Sequence, residues 1–242
     1  MSSLIIANQK VWWGGYDITG DLEDIDFSLA VDSLEKTALG ATTRTFAAGG
    51  LESVDFNYSG FWNADTGEID APMFSNMGAA IVVSVGAIDG SDGSTAFSFK
   101  SLHNSYVPSG AVGEMFKFSA GGNSAADRLV SGTILHPATA RTASGNGTAR
   151  QIGAVSATQK VYGSLHVLAA SGTSPTLDVV VESDDAGGFA SPATVLTFSQ
   201  FAAIGAERQS ASGAITDDYW RVTYTIGGTS PSFTFVVVLG IR

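Results

Sequence analysis

Carboxylates are the side chains with the most regular spacing in this sequence. Between residues 24 and 32, Asp24, Asp26, Ser28, Ala30 and Asp32 interleave with Ile25, Phe27, Leu29 and Val31. A second segment repeats the pattern, with Ser53, Asp55, Asn57 and Ser59 set between Val54, Phe56 and Tyr58. Period two is the spacing of a β-strand, whose successive side chains point to opposite faces. Paired as a hairpin, the segments would bury one apolar face and gather Asp24, Asp26, Asp32 and Asp55 on the other, beside Ser28 and Asn57. Like charges that close repel. Three readings follow: the wet side of an ordinary antiparallel sheet, a negatively charged lining, or a metal site. The segment has no Asp/Asn loop of the calcium-binding kind, and no metal is expected.

Other reactive types are scattered. His103, His136 and His166 lie 33 and 30 residues apart and share no metal-ligand spacing. The pairs Asp184-Asp185 and Asp217-Asp218 sit beside turns, where nothing fixes the carboxyl separation that glycoside hydrolysis needs. No nucleophile elbow, zincin helix or P-loop occurs, and the glycine-rich stretches at 86–93 and 187–188 read as turns between strands. The chain has no cysteine, which removes thiolate chemistry and disulfide scaffolds. No catalytic residue and no cofactor is expected, and the chain does not read as an enzyme.

The elements that must position the aspartates are strands. Short β-branched and aromatic runs separated by Gly, Ser, Asn and Asp predict an all-β protein. Strands are expected near 4–13, 24–32, 51–62, 79–88, 94–103, 112–119, 128–135, 160–169, 176–183, 193–199, 218–226 and 232–240. One short helix is expected at Ala71 to Met77, with Pro72 in its first turn, Gly78 just past its end, and Met73, Phe74 and Met77 as its apolar side. The loop 33–50 between the two acidic strands is unusually long. It mixes Glu35, Lys36 and Arg44 with Leu34, Leu39 and Phe46, so it either docks on another subunit or is disordered.

Charge and composition divide the chain. The net charge of −11 comes from 12 Lys+Arg against 23 Asp+Glu, which argues against a phosphate-gripping surface. Residues 1–135 hold 6 basic and 16 acidic side chains, and residues 136–242 hold 6 and 7. The low-complexity stretch from Pro137 to Thr148 has no apolar periodicity, so domains are expected at 1–136 and 151–242 with a linker at 137–150. The second domain, with Val179, Val181, Tyr219, Trp220 and Tyr224 in short alternating runs, reads as a small jelly-roll-like or immunoglobulin-like β-sandwich. The aromatics are expected in its core. No leader and no membrane-length apolar run is read at either end, so synthesis in a cytoplasm is expected.

The residues of the first part resemble a family. Val11-Trp12-Trp13-Gly14-Gly15-Tyr16-Asp17-Ile18-Thr19-Gly20-Asp21-Leu22 opens the pattern, and Asp32-Ser33-Leu34-Glu35-Lys36-Thr37 with Gly40 and Arg44 continues it. Gly50-Leu51-Glu52 then leads into the strand Val54 to Trp62. Pro108 to Glu114, Phe116 to Ser119 and Arg128 to Leu135 complete it. Over roughly 1–136 the chain resembles the tail tube (major tail) proteins of long-tailed bacteriophages, through many weak positions and no single diagnostic motif. The resemblance implies a β-sandwich with one helix that assembles as stacked hexameric rings, the inner sheets of six subunits closing one barrel around a channel for DNA. Carried onto this chain, Asp24, Asp26, Ser28, Asp32, Asp55 and Asn57 would line the lumen. Leu34, Glu35, Lys36, Leu39, Arg44 and Phe46 would reach the adjacent ring. The implied partners are copies of the chain itself, a tape measure protein and tail-end proteins, with DNA only in transit, no membrane, and a place in the virion tail. A carbohydrate-binding or virion decoration β-sandwich protein is the alternative.

Overall fold

Val, Ile, Phe, Tyr and Thr pack well on a pleated surface, and almost all of this chain folds as strand. The computed structural model describes residues 8–65, 68–125 and 127–242. In chain order the elements are β1 (Lys10–Trp13), β2 (Tyr16–Asp17), a 3₁₀ turn (Thr19–Asp21), β3 (Leu22–Glu35), β4 (Phe46–Phe61), α1 (Asp70–Ser75), β5 (Ala80–Gly86), β6 (Thr95–Ser109), β7 (Lys117–Ser124), β8 (Val130–Arg141), β9 (Gly145–Asn146), β10 (Arg150–Gln151), β11 (Lys160–Asp184), β12 (Ala193–Thr197), β13 (Gly205–Ser212) and β14 (Tyr219–Ile241). The protein is all-β with one α-helix among the described residues. Of the first expected strand, 4–13, residues 4–7 lie outside the described residues.

The chain separates into two compact units. The arm unit is Asp21–Ala80 with Lys100–Leu129, and the terminal unit is the chain up to Gly20, Ile81–Phe99 and Val130–Arg242. This division differs from the expected one at 1–136, 137–150 and 151–242. Thr139, Ala140 and Arg141 pair with Phe235, Thr234 and Phe233, Asn146 pairs with Thr223, and Arg150 with Trp220. The stretch expected as a linker therefore runs along β14. Backbone pairing needs no large side chain, so an Ala/Thr/Gly segment can complete a sheet whose apolar bulk comes from its partner.

In the terminal unit the strand order is β12-β11-β14-β8-β6-β5-β1-β2, with β13 also on β11. Four expected strands are two: 160–169 and 176–183 form β11, and 218–226 and 232–240 form β14, paired from Val161↔Ile241 to Asp184↔Tyr219. Each carries the same tetrapeptide, Gly172-Thr173-Ser174-Pro175 and Gly228-Thr229-Ser230-Pro231, and Thr173 pairs with Thr229. Gly172 and Gly228 take φ of 114° and 110°, and Ser174 and Ser230 take 47° and 50°. A Cβ on Gly172 would lie 2.8 Å from Ser230 O, and one on Gly228 would lie 2.7 Å from Ser174 O, so each glycine seats the other strand's kink. Around this pair Leu165, Val167, Val179, Val181, Trp220, Val222, Phe233 and Phe235 are fully buried. Trp220 and Tyr224 are core, as expected, whereas Tyr219 is only half-buried, and Trp220 Nε1 donates to Gly153 O at 2.9 Å.

The arm unit is a sheet in the order β3-β4-β7-β6, to which β6 gives its Ser101–Ser109 stretch. Helix α1 is two residues shorter at its end than expected. Its buried side is Ile69, Pro72 and Met73, the i, i+3, i+4 stripe of one turn, while Phe74 and Met77 are exposed, contrary to expectation. Asp70 at its start accepts hydrogen bonds from Trp62 Nε1 (2.8 Å) and Tyr106 OH (2.6 Å), and His103 Nε2 donates to Met73 O at 3.1 Å. These bonds hold the helix on the apolar face of the sheet, over Tyr58 and His103.

Candidate assembly surface

The register of β3 on β4 settles which side chains share a face. Asp24 pairs with Ser59, Asp26 with Asn57 and Ser28 with Asp55. The rows continue onto β7, where Ser119, Gly121 and Asn123 oppose Ser59, Asn57 and Asp55, and onto β6 at Ser105 and Val107. Five of the six residues expected on one acidic face are therefore brought together. Asp32 is the exception, for the register shifts between Val31 and Ser33 and leaves it unpaired in a bulge. A bulge inserts one residue and ends the alternation on which its assignment rested.

Residues of β6 and β7 complete the face and carry no such sequence signal. Asn123 Nδ2 donates to Asp55 Oδ1, and Asn104 Nδ2 donates to Asn123 Oδ1 at 2.5 Å, an amide ladder across three strands. Gly121 leaves room for Asn57, whose Oδ1 would lie 2.7 Å from a Cβ there. Lys117 is a cation at this face, and its Nζ is held 2.7 Å from Glu23. The arm unit has 5 Lys+Arg against 13 Asp+Glu, net −8 of the chain's −11. β7 escapes a period-two reading because Ala120, Gly121 and Gly122 blur the contrast between its faces.

The opposite face divides in two. Val54, Phe56, Tyr58, Phe118 and Ala120 are buried, with Phe56 and Tyr58 stacked at 4.7 Å. On β3, Leu29 and Val31 are exposed. β3 pairs only with β4 among the described residues and so stands at the sheet's edge. β7 accompanies β4 only from Asp55 to Phe61. Beyond that, residues 29–35 and 46–54 continue as a two-stranded ribbon, about 23 Å long at roughly 3.3 Å per residue, braced at its base by Arg128 and Glu52, 3.7 Å apart. Leu34, Phe46 and Leu51 are exposed along it.

The loop expected at 33–50 is thus partly strand, since Leu34, Glu35 and Phe46 belong to β3 and β4, and the turn is 36–45. That turn is hydrogen-bonded within itself. Thr37 Oγ1 donates to Glu35 (2.8 Å) and accepts from Thr45 N (3.0 Å), Lys36 N donates to Thr45 O (2.8 Å), and Arg44 lies 3.8 Å from Glu35. Leu39 at its tip is exposed.

The histidines occupy interiors. His136 stacks on Phe235 at 4.2 Å, hydrogen-bonds through Nδ1 to Phe235 O, and accepts from Arg141 at Nε2 (3.3 Å). Burial, and then Arg141, push its pKa down to about 4. His166 Nε2 lies 2.9 Å from Ser84 Oγ, and burial followed by Arg208 pushes its pKa down to about 3. Both are neutral packing groups. Asp184 caps its own turn by accepting from Ala186 N and Ser191 N, while Asp185 is pushed up by Asp184. Asp217 accepts from Ser183 and Asp218 from Gln151. No group of three or more potential metal ligands occurs among the described residues.

No family model and no curated protein matches the chain. Solved structures similar to it include the tail of an empty gene transfer agent particle with C6 symmetry, 19% identical over 50% of this chain and 92% of that one, with a TM-score of 0.38. The SPP1 tail tube is 9% identical over 52% of this chain and 78% of its own, with a TM-score of 0.43. SPP1 Dit, from the hub adsorption apparatus of phages infecting Gram-positive bacteria, is 9% identical over 98% of this chain and 100% of its own, with a TM-score of 0.37.

Proposed function

We propose that this protein is a structural subunit of a long-tailed phage tail tube, made in the host cytoplasm and resident in the virion. Copies form hexameric rings in which the four-stranded sheet of the arm unit faces the channel, and rings stack into a tube that conducts DNA. The observation that carries this is the sheet itself: one face acidic and hydrogen-bonded across strands, the other apolar, and a 14-residue edge strand left open. An exposed edge that long is a template for another chain, and closure across subunits removes it. Asp24, Asp26, Ser28, Asp55 and Asn57 then line the lumen, with Asp32 at its rim. Carboxylates repel phosphates, so DNA passes without being gripped. Tape measure and tail-end proteins would be further partners, and no step of the reading needs a catalytic group.

Electron microscopy of the purified protein at increasing concentration tests the proposal. Six-fold rings or tubes with an axial channel are expected. A species that stays monomeric in every condition overturns it.

A further inference from the structure

The acidic face of the arm unit has a hollow in it. Cross-strand neighbours share a face, so Asp24, Ser59 and Ser119 form one row and Asp26, Asn57, Gly121 and Ser105 the next. Gly121 puts no side chain into its row. The space it leaves is a pocket of about 210 Å³, lined among others by Asp24, Asn57, Ser59, Ser105, Ser119 and Gly121. We propose that this pocket binds a primary alkylammonium group, with Asp24 as the counter-charge and the serine hydroxyls and the Asn57 amide oxygen as acceptors. The inference goes beyond the tail-tube reading and does not depend on it, because every lining residue belongs to the arm unit of a single copy.

The acceptor set selects the ligand. Asp24, Ser59, Ser105 and Ser119 form no side-chain hydrogen bond or ion pair among the described residues, whereas Asp55, Asn123 and Asn104 on the same face satisfy one another. The face is finished at one end and open at the other. Asn57 Oδ1 lies 2.7 Å from where a Cβ on Gly121 would stand, so the amide oxygen leans into the hollow. A carboxylate only accepts hydrogen bonds, hydroxyls and an amide oxygen accept as well, and an ammonium head brings donors and no acceptor. One carboxylate among neutral oxygens matches a single positive charge, whereas calcium sites gather several carboxylates. Lys117, next along the row from Ser119, leaves the charge of Asp24 unanswered, for its Nζ is held by both carboxylate oxygens of Glu23, at 3.0 and 2.7 Å.

Titrations of the purified protein followed by NMR, at the backbone amides of Asn57, Ser119 and Gly121, test the proposal. Diaminobutane and acetyl-lysine amide present the ammonium as a free polyamine and as a protein side chain, and the tighter of the two names the source. Saturable shifts with a Kd on the order of 1 mM are expected, since the site is open to water. Tetramethylammonium, with the same charge and no N–H, should bind about tenfold more weakly. Asp24→Asn should weaken binding about tenfold, while Asp26→Asn, which removes the same charge from the next row, should change it by less than about twofold. Gly121→Ala fills the hollow, chiefly by shifting the tip of the Asn57 side chain, and should weaken binding as Asp24→Asn does. Absence of saturable shifts with both amines, equal binding of tetramethylammonium, equal effects of Asp24→Asn and Asp26→Asn, or unchanged binding in Gly121→Ala would each overturn the pocket and leave only diffuse attraction of cations. The tail-tube reading stands or falls separately, on the rings and tubes.

Discussion

Two long antiparallel pairs dominate the molecule and are used in opposite ways. β11 and β14 are flanked by further strands along most of their length, and their apolar side chains form a large buried cluster, with Phe235 fully buried. β3 and β4 have similar alternation, yet among the described residues β3 is an edge and the ribbon has no flanking strand, and Leu34 is 61% exposed. The first pair is a finished core. The second has the amphipathic pattern of a core with half of its packing partners missing, as expected of a surface completed by another subunit.

Side-chain truncation should separate the two most strongly. Phe235→Ala removes a fully buried ring that stacks on His136 and should cost about 3–5 kcal/mol of stability. Leu34→Ala, of the same chemical kind, should cost no more than about 0.5 kcal/mol in the monomer, yet should suppress polymerisation. Urea unfolding with sedimentation of the same samples reads both, and an equal loss of stability would abolish the distinction.

Acid should act next most strongly, and on the finished core. His136 and His166 are held neutral in the fold, at pKa values of about 4 and about 3, and return to near 6.5 on unfolding. The unfolded chain then binds protons that the fold refuses. The stability they contribute is complete above pH 6.5 and is lost as pH falls from there toward 4, at up to about 1.4 kcal/mol per pH unit for each histidine. Urea midpoints between pH 7 and 4.5 should show this slope, and His166→Gln should flatten it. An unchanged slope in that variant would remove His166 from the account.

Glycine positions sharpen the contrast further. Gly228 and Gly40 both have positive φ, 110° and 89°. A Cβ at Gly228 meets backbone within 2.7 Å, whereas one at Gly40, in the ribbon turn, meets nothing within 4 Å. Gly228→Ala should therefore destabilise by more than about 2 kcal/mol, and Gly40→Ala by about 1 kcal/mol from the backbone alone. Thermal melts of the two variants check the ranking.

The same glycines show what could be read from sequence. The acidic strands were legible because each side chain there declares a face: Asp or Ser against Ile, Phe or Val. Their shared face followed from Asp24 to Ser28, and the bulge at Asp32 broke it. The two Gly-Thr-Ser-Pro segments fall in the gaps between expected strands, and they are kinks within continuous strands because each seats the other, a long-range relation that no local window contains. Residues 137–150 read as a linker for a related reason. Small side chains hide a backbone pairing that is decided by β14. Lys117 meets Glu23, 2.7 Å away, only after folding, so nothing in the spacing announced that pair.

The smallest effect on stability should come from the acidic face, which makes it the sharpest test of what the unfinished pair is for. Asp26 is exposed and faces Asp24 and Asp55 on neighbouring positions, so replacing it relieves repulsion instead of breaking packing. Asp26→Lys with Asp55→Lys should shift unfolding by about 0.5 kcal/mol or less, although the Asn123 hydrogen bond to Asp55 is lost. In a channel the same change matters far more. Each lysine facing passing phosphates releases counterions, and that attraction weakens steeply as salt rises. DNA ejection from particles carrying the double variant should therefore slow at low ionic strength and recover toward the wild-type rate as salt is raised. A variant that folds, assembles and ejects DNA at the wild-type rate at every ionic strength would show that the carboxylates line a merely solvated face, and the contrast between the two strand pairs would then concern subunit contacts alone.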